Sequence, residues 1–224
     1  MLDKQIVFNE IYDIFGKNLI DDGFQSNKNK NIYKYISNFG ILIFDVKFTK
    51  GKVIHLNFSF SERSLELIFL EIENEYRVLQ NLPKLDTRKI TRPVISISDW
   101  SDLLVSNGYD YKEFNSWIEF IYAISDIKRI KPTYDVIYQI IKNIFINKVK
   151  SKEDLYNLIS KKLYKNSSDY IYMLIIAKFL GNDLTNEYLA IKQDEDFFKM
   201  IPVFKAEVEF AYDYLSQSEN SEVW

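Results

Sequence analysis

"NFGILIFDVKFTKGKVIHLNF", Asn38 to Phe58, decides the fold of this chain. It alternates apolar and polar residues with a period of two, is rich in β-branched and aromatic side chains, and carries glycine at two places where a chain reverses. The stretch predicts the central hairpin of an antiparallel meander. "IYKYIS" before it and the continuation through "SF" complete three strands.

Turn chemistry suggests a register. A three-residue loop ending in a left-handed glycine is a common hairpin connection, and Gly40 and Gly51 both suit its third position. With Thr49, Lys50 and Gly51 as the loop, Val46 pairs with Ile54, Phe44 with Leu56 and Leu42 with Phe58, a continuous apolar face. Asn38, Phe39 and Gly40 as the other loop pair Ile36 with Leu42, Lys34 with Phe44 and Ile32 with Val46, where only Lys34 disagrees. The opposite face then carries Tyr33, Tyr35, Asp45 and His55, the chain's one histidine, with Tyr33, Asp45 and His55 in a cross-strand row.

Outward from the hairpin, apolar residues at helical spacing predict a first helix ending near Ile20, stopped by "DDG". Leu65, Ile68, Phe69, Ile72, Tyr76 and Leu79 predict a long helix ending before Pro83, which would cover the apolar sheet face. An extended piece is expected at Val94 to Ile97, with Asp99 capping a brief helix through Leu104. Beyond Asp110, helices are expected near 110–129, 132–149, 152–165, 168–181 and 185–215, the last broken at Pro202, with Ser151 and Ser167 as N-caps and Gly181 as a stop. The expected fold class is α+β: an N-terminal helix, a three-stranded antiparallel meander and a covering helix over residues 1–98, then an all-helical bundle over 99–224, which could pack as one body.

Composition narrows function by exclusion. No cysteine is present, which removes disulfides, cysteine nucleophiles and thiolate metal sites and suits a reducing, cytoplasmic setting. The N-terminus has no apolar core of a secretory signal, and the most apolar window, Ile171 to Leu180, is about half the length of a bilayer span. The six glycines form neither a phosphate loop nor a dinucleotide fingerprint, and no nucleophile elbow occurs. No cofactor and no metal are expected: one histidine leaves only carboxylate clusters, Asp194, Glu195 and Asp196 in "DEDFF" and Glu71, Glu73 and Glu75 in "EIENE", which read as solvated helix faces.

Charge is segregated, although the net charge is only −3. Lysine and arginine dominate residues 127–165, and acids dominate from Asp183 to the end, so the two segments could compensate each other or steer a charged partner. Sixteen tyrosines supply aromatic surface of the kind protein interfaces favour. Three readings follow. A protein partner would meet the Tyr33, Tyr35, Asp45, His55 face or the Asp194, Glu195, Asp196 cluster; an enzyme or ligand-binding protein would use the Tyr–Asp–His row; a nucleic acid would meet the basic segment with its interleaved tyrosines.

The stretch "LIDDGFQSNKNKNIYKYISNFGILIFDVKF", from Leu19 to Phe48, resembles a widespread bacterial family of domains of the polymorphic-toxin immunity type. These begin with a helix, a Gly-Phe pair (here Gly23-Phe24), a polar stretch, a Tyr-bearing strand at Tyr33 and an amphipathic hairpin. The resemblance runs to about Leu79, and the helical remainder departs from it. It implies a non-enzymatic role in binding another protein, a toxin domain of interbacterial competition, and carries over no functional residue.

Overall fold

The computed structural model describes residues 4–48, 54–88, 90, 92–97, 124–162 and 164–218. The class is α+β. Backbone contacts divide the chain into two units, each discontinuous in sequence: residues 1–61 with 96–148, and residues 62–95 with 149–224. Residues 110–123 of the expected helix near 110–129, the Asp99 cap and the Gly51 turn lie outside the described residues.

The first unit opens with α1 (Lys4–Ile11), a π-helical turn (Tyr12–Gly16) and α2 (Lys17–Asp21), ended where Gly23 takes φ +94°. The sheet order is β1 (Gln25–Ser26), β2 (Ile32–Ile36), β3 (Ile41–Phe48), β4 (Ile54–Ser61) and β5 (Ile95–Ile97), so two short strands flank the expected three. β1 to β4 are antiparallel neighbours in sequence order. The β3–β4 pairs are Leu42 with Phe60, Phe44 with Phe58 and Val46 with Leu56, a shift of two residues from the expected register. Because side chains alternate with period two, that shift changes partners and keeps the apolar face.

The β2–β3 hairpin differs by one residue, and the consequence is larger. Tyr33 pairs with Phe44, Tyr35 with Leu42 and Ile32 with Asp45, which turns β2 over relative to the expectation. A four-residue connection causes this. Ser37 donates its N–H to the Gly40 carbonyl at 2.9 Å, and its Oγ accepts from the N–H groups of Phe39 and Gly40 at 3.2 and 3.0 Å. Gly40 is not left-handed; it is glycine because a Cβ there would stand 2.5 Å from the Phe60 ring and 2.6 Å from the Ser61 carbonyl. The exchange buries the Tyr33 ring, half-buries that of Tyr35 and releases Lys34 and Ile36 to solvent, and a phenol ring is better covered than an ammonium.

The apolar sheet face of this unit is covered from α4 (Ile124–Ile141) and the π-helical segment that prolongs it (Lys142–Lys148). Tyr134 packs on Phe15, Phe44 and Phe58, Tyr138 on Phe24 and Phe58, and Phe145 stacks on Phe60 at 5.2 Å. Within this unit the cover on the apolar sheet face comes from Ile124–Lys148. Pro132 stands inside α4, where the expectation began a helix.

The second unit contains α3 (Arg63–Leu79), α5 (Lys152–Ser160), α6 (Ser167–Phe179), α7 (Leu184–Gln193), α8 (Glu195–Lys199) and α9 (Pro202–Gln217). Ser151 caps α5 as expected, its side chain accepting from the Asp154 N–H. At α6 the cap is Asn166, one residue before the expected Ser167, and Asp169 completes a capping box with it. The central helix is α6, buried from Asp169 to Ala177, which explains its lack of a polar face. Gly181 ends it at φ +73°, and α9 begins at Pro202, a residue suited to the first helical turn.

Candidate functional site

The residues singled out from the sequence are not brought together. Tyr33 is fully buried, and its hydroxyl donates to the Lys30 carbonyl at 3.0 Å; burial pushes its phenol well above the ordinary tyrosine range. Tyr35 is half-buried against Phe24, with ring centroids 5.5 Å apart. Asp45 pairs with Ile32 and Asn57 and accepts from Lys47 at 3.0 Å, whereas His55 pairs with Lys47. The Tyr33–Asp45–His55 row therefore does not exist as a row. The one-residue slip sends Tyr33 to the opposite face, and the two-residue shift moves His55 along the strand.

The acidic cluster is likewise divided by function. Asp194 caps α8, accepting from the Asp196 N–H at 2.9 Å and from Lys165 Nζ at 3.2 Å. Asp196 accepts from the Lys165 N–H at 3.0 Å, and Glu195 pairs with Lys199 at 2.6 Å on the exposed side. Two of the three carboxylates thus hold the turn before α6 instead of facing a partner. Burial raises the Asp194 carboxyl, but hydrogen bonds from the Asp196 backbone and Lys165, with the neighbouring Tyr170 hydroxyl, outweigh it and hold the group below its ordinary value.

The basic segment is partly compensated in the same way. Lys131 pairs with Asp135, Lys142 with Asp22, Lys162 with Asp169 and Lys165 with Asp194. Lys165–Asp194 is a direct contact between the basic and acidic stretches.

A concave site occurs in the second unit, with a cavity volume of about 320 Å³. It is built by helical periodicity. Phe69, Ile72, Glu73 and Tyr76 recur on α3 at spacings of three and four and so share one face; Phe204 and Glu207 do the same on α9, and Ser167, Ser168 and Ile171 come from the start of α6. Arg92 closes one side. Its Nε and Nη2 donate to the two carboxylate oxygens of Glu73, both at 2.8 Å, a bidentate pair that is self-neutral. Tyr172 fixes the Arg92 backbone by donating its hydroxyl to the carbonyl.

Glu207 is placed differently. Burial pushes its carboxyl above the ordinary range, a hydrogen bond with Ser167 pulls it down, and the Glu73 charge pushes it up further, for a net rise. Among the described residues no cation pairs with it. Burial and the Glu207 charge likewise raise the Tyr76 phenol. The site joins an apolar floor to one uncompensated carboxylate, and among the described residues no histidine or lysine lines it beside the serines to activate a hydroxyl. Its arrangement is suited to holding a ligand.

The sequence reading placed Glu73 in a solvated cluster and passed over Arg92 and Glu207. The signal was present: Glu73 lies in the Phe69–Ile72–Tyr76 stripe and Glu207 in the Phe204–Val208–Ala211 stripe, charges where periodicity demands apolar residues. The remainder of "EIENE" is also engaged, Glu71 accepting from Tyr214 at 2.7 Å and Glu75 from Lys84 at 2.6 Å. Among the described residues, no group of three or more acidic or histidine side chains is placed to hold a metal ion, and no helix is long and apolar enough to cross a membrane.

Comparison with family models, with curated proteins and with solved structures found no match to the chain.

Proposed function

We propose that this chain is a non-enzymatic protein that binds another protein, of the immunity type, neutralising a toxin domain in the bacterial cytoplasm. The observation that carries the reading is the apolar ridge at the α8–α9 elbow of the second unit. Phe198 is 77% exposed, Ile201 55%, Val203 51% and Phe204 45%, within seven consecutive residues. Lys199, paired with Glu195, and Lys205, whose Nζ donates to the Phe198 carbonyl at 2.7 Å, give this apolar centre a polar rim. Exposed aromatic and branched side chains so close together mark an interaction surface more often than bare solvent contact. The resemblance of residues 19–48 to immunity-type domains supplies the partner class.

The ridge replaces the sheet face as the surface to test, since Tyr33 is buried and Asp194 and Asp196 are occupied. The experiment is affinity capture of the tagged chain and of Phe198→Asp from bacterial lysate, followed by expression of any captured partner alone. A partner that is retained by the unaltered chain, lost with Phe198→Asp and toxic unless the chain is co-expressed carries the proposal. A partner held equally by both, or one harmless on its own, overturns it.

A further inference from the structure

The cleft lined by α3, α6 and α9 holds three formal charges whose pairing is unequal. Arg92 spends both forked donors on Glu73, at 2.8 Å each, so that pair presents no net charge to a ligand. Glu207, across from it, has a serine hydroxyl and no cation among the described residues. A half-buried carboxylate beside a second carboxylate is a standing electrostatic cost, and a cation entering the cleft removes it.

Two other ligand classes fit less well. An anion would be drawn to the start of α6, where Ser167 and Ser168 line the cleft, but the backbone donors on either side of those serines are already used. The Asn166 side chain accepts from the Asp169 N–H, and the Asp169 carboxylate accepts from the Asn166 N–H and from Lys162 Nζ. An anion would also meet the Glu207 carboxylate directly. A neutral apolar ligand would desolvate Glu207 further without pairing it.

We propose that this cleft binds a cation carried on an apolar body: an ammonium or guanidinium meeting Glu207, with its alkyl or aryl stem lying on Phe69, Ile72, Ile171 and Phe204. The cavity of about 320 Å³ is near the small end of ligand sites, which span roughly 300–1,000 Å³. It suits a ligand the size of one amino-acid side chain or a simple arylalkylamine. Such a group comes either from a free amine or from a lysine or arginine of a partner protein. The inference stands apart from the protein-binding reading, because a free amine tests it without any partner.

The experiment is calorimetric titration of the full chain with 2-phenylethylamine, with 3-phenylpropionate as the anion of matching shape, and with a short peptide bearing one Phe-Lys pair. Each titration is repeated on Glu207→Gln, and thermal melting establishes that this variant is folded. Saturable binding of the amine or the peptide, at least tenfold weaker in Glu207→Gln, with the carboxylate inert, is the expected result. Amine binding identifies a small-molecule source, and binding of the peptide alone identifies a protein side chain. Carboxylate binding as tight as the amine's, affinity unchanged in Glu207→Gln, or no binding of either cation at millimolar concentration overturns the proposal.

Discussion

Tyr33 lies across from Phe44 in the β2–β3 ladder, with ring centroids 5.8 Å apart, and its hydroxyl reaches so near the π-helical turn that Gly16 has no room for a Cβ. A Cβ at Gly16 would stand 2.5 Å from the Tyr33 hydroxyl oxygen and 2.9 Å from the Tyr12 ring. This contact joins the first helical segment to the sheet and places Tyr33 in the core of its unit.

Gly16→Ala should therefore destabilise the protein by about 1–3 kcal/mol, the usual cost of forcing a methyl into a filled core. Tyr33→Phe removes the atom nearest the new methyl, so the double variant should lose less than the sum of the singles. Urea denaturation of all four proteins, read by far-UV circular dichroism, measures the coupling. Additive losses would show that the two positions do not meet.

The three adjacent acids of "DEDFF" should behave as separate residues. Asp194→Ala removes the α8 cap and Asp196→Ala the acceptor of the Lys165 N–H; each should cost about 1 kcal/mol. Glu195→Ala breaks only an exposed pair one helical turn long and should change stability by less than about 0.5 kcal/mol. Equal losses at the three positions, by denaturant midpoint, would contradict this division.

The start of α6 rests on Asp169, which is buried and accepts from Lys162 Nζ at 2.8 and 2.9 Å and from the Asn166 N–H at 2.9 Å. Asn166→Ala should cost about 1 kcal/mol as a lost cap. Asp169→Ala should cost roughly 3 kcal/mol, because it also leaves the partly buried Lys162 ammonium without its partner. Thermal melts ranking Asn166→Ala below Asp169→Ala in stability would refute the assignment.

Acid should unfold the protein partly through Asp22 and Asp194. Burial raises the Asp22 carboxyl, but hydrogen bonds from Lys142 and Tyr138 hold it below the ordinary value, and Asp194 is lowered likewise. A carboxyl with a depressed folded pKa contributes stability that is whole above its unfolded value, near pH 4, and is lost as pH falls through the folded value. Stability measured from about pH 6 down to pH 3 should fall, and Asp22→Asn should fall less steeply over the same range. Glu207 has the opposite sign: its raised folded pKa favours the protonated form, so Glu207→Gln should melt at the same temperature as the unaltered chain or higher at neutral pH.

Much of the architecture was legible because it depends on local periodicity. The period-two alternation of Ile41–Phe48 and Ile54–Ser61 marks strands, and its apolar face survives a two-residue shift of register. The caps at Ser151 and Gly181 and the break at Pro202 are equally local. The β2–β3 register was not, since it depends on whether Ser37 adds one residue to the turn. Lys34 was the sign of the error: the expected pairing put its ammonium opposite Phe44, and the observed one frees it.

The sequence by itself determined the class, the hairpin, the helical periodicities and the places where helices start and stop, because each follows from the preferences of residues a few positions apart. Only tertiary structure decided that Tyr33 is core, that Asp194 and Asp196 close a turn with Lys165, and that Glu73 and Glu207 line one cleft. Glu73 and Glu207 are 134 residues apart in the chain. The energy that places them comes from burying the apolar stripes of their helices, and a stripe specifies that a face is covered without specifying which other face covers it.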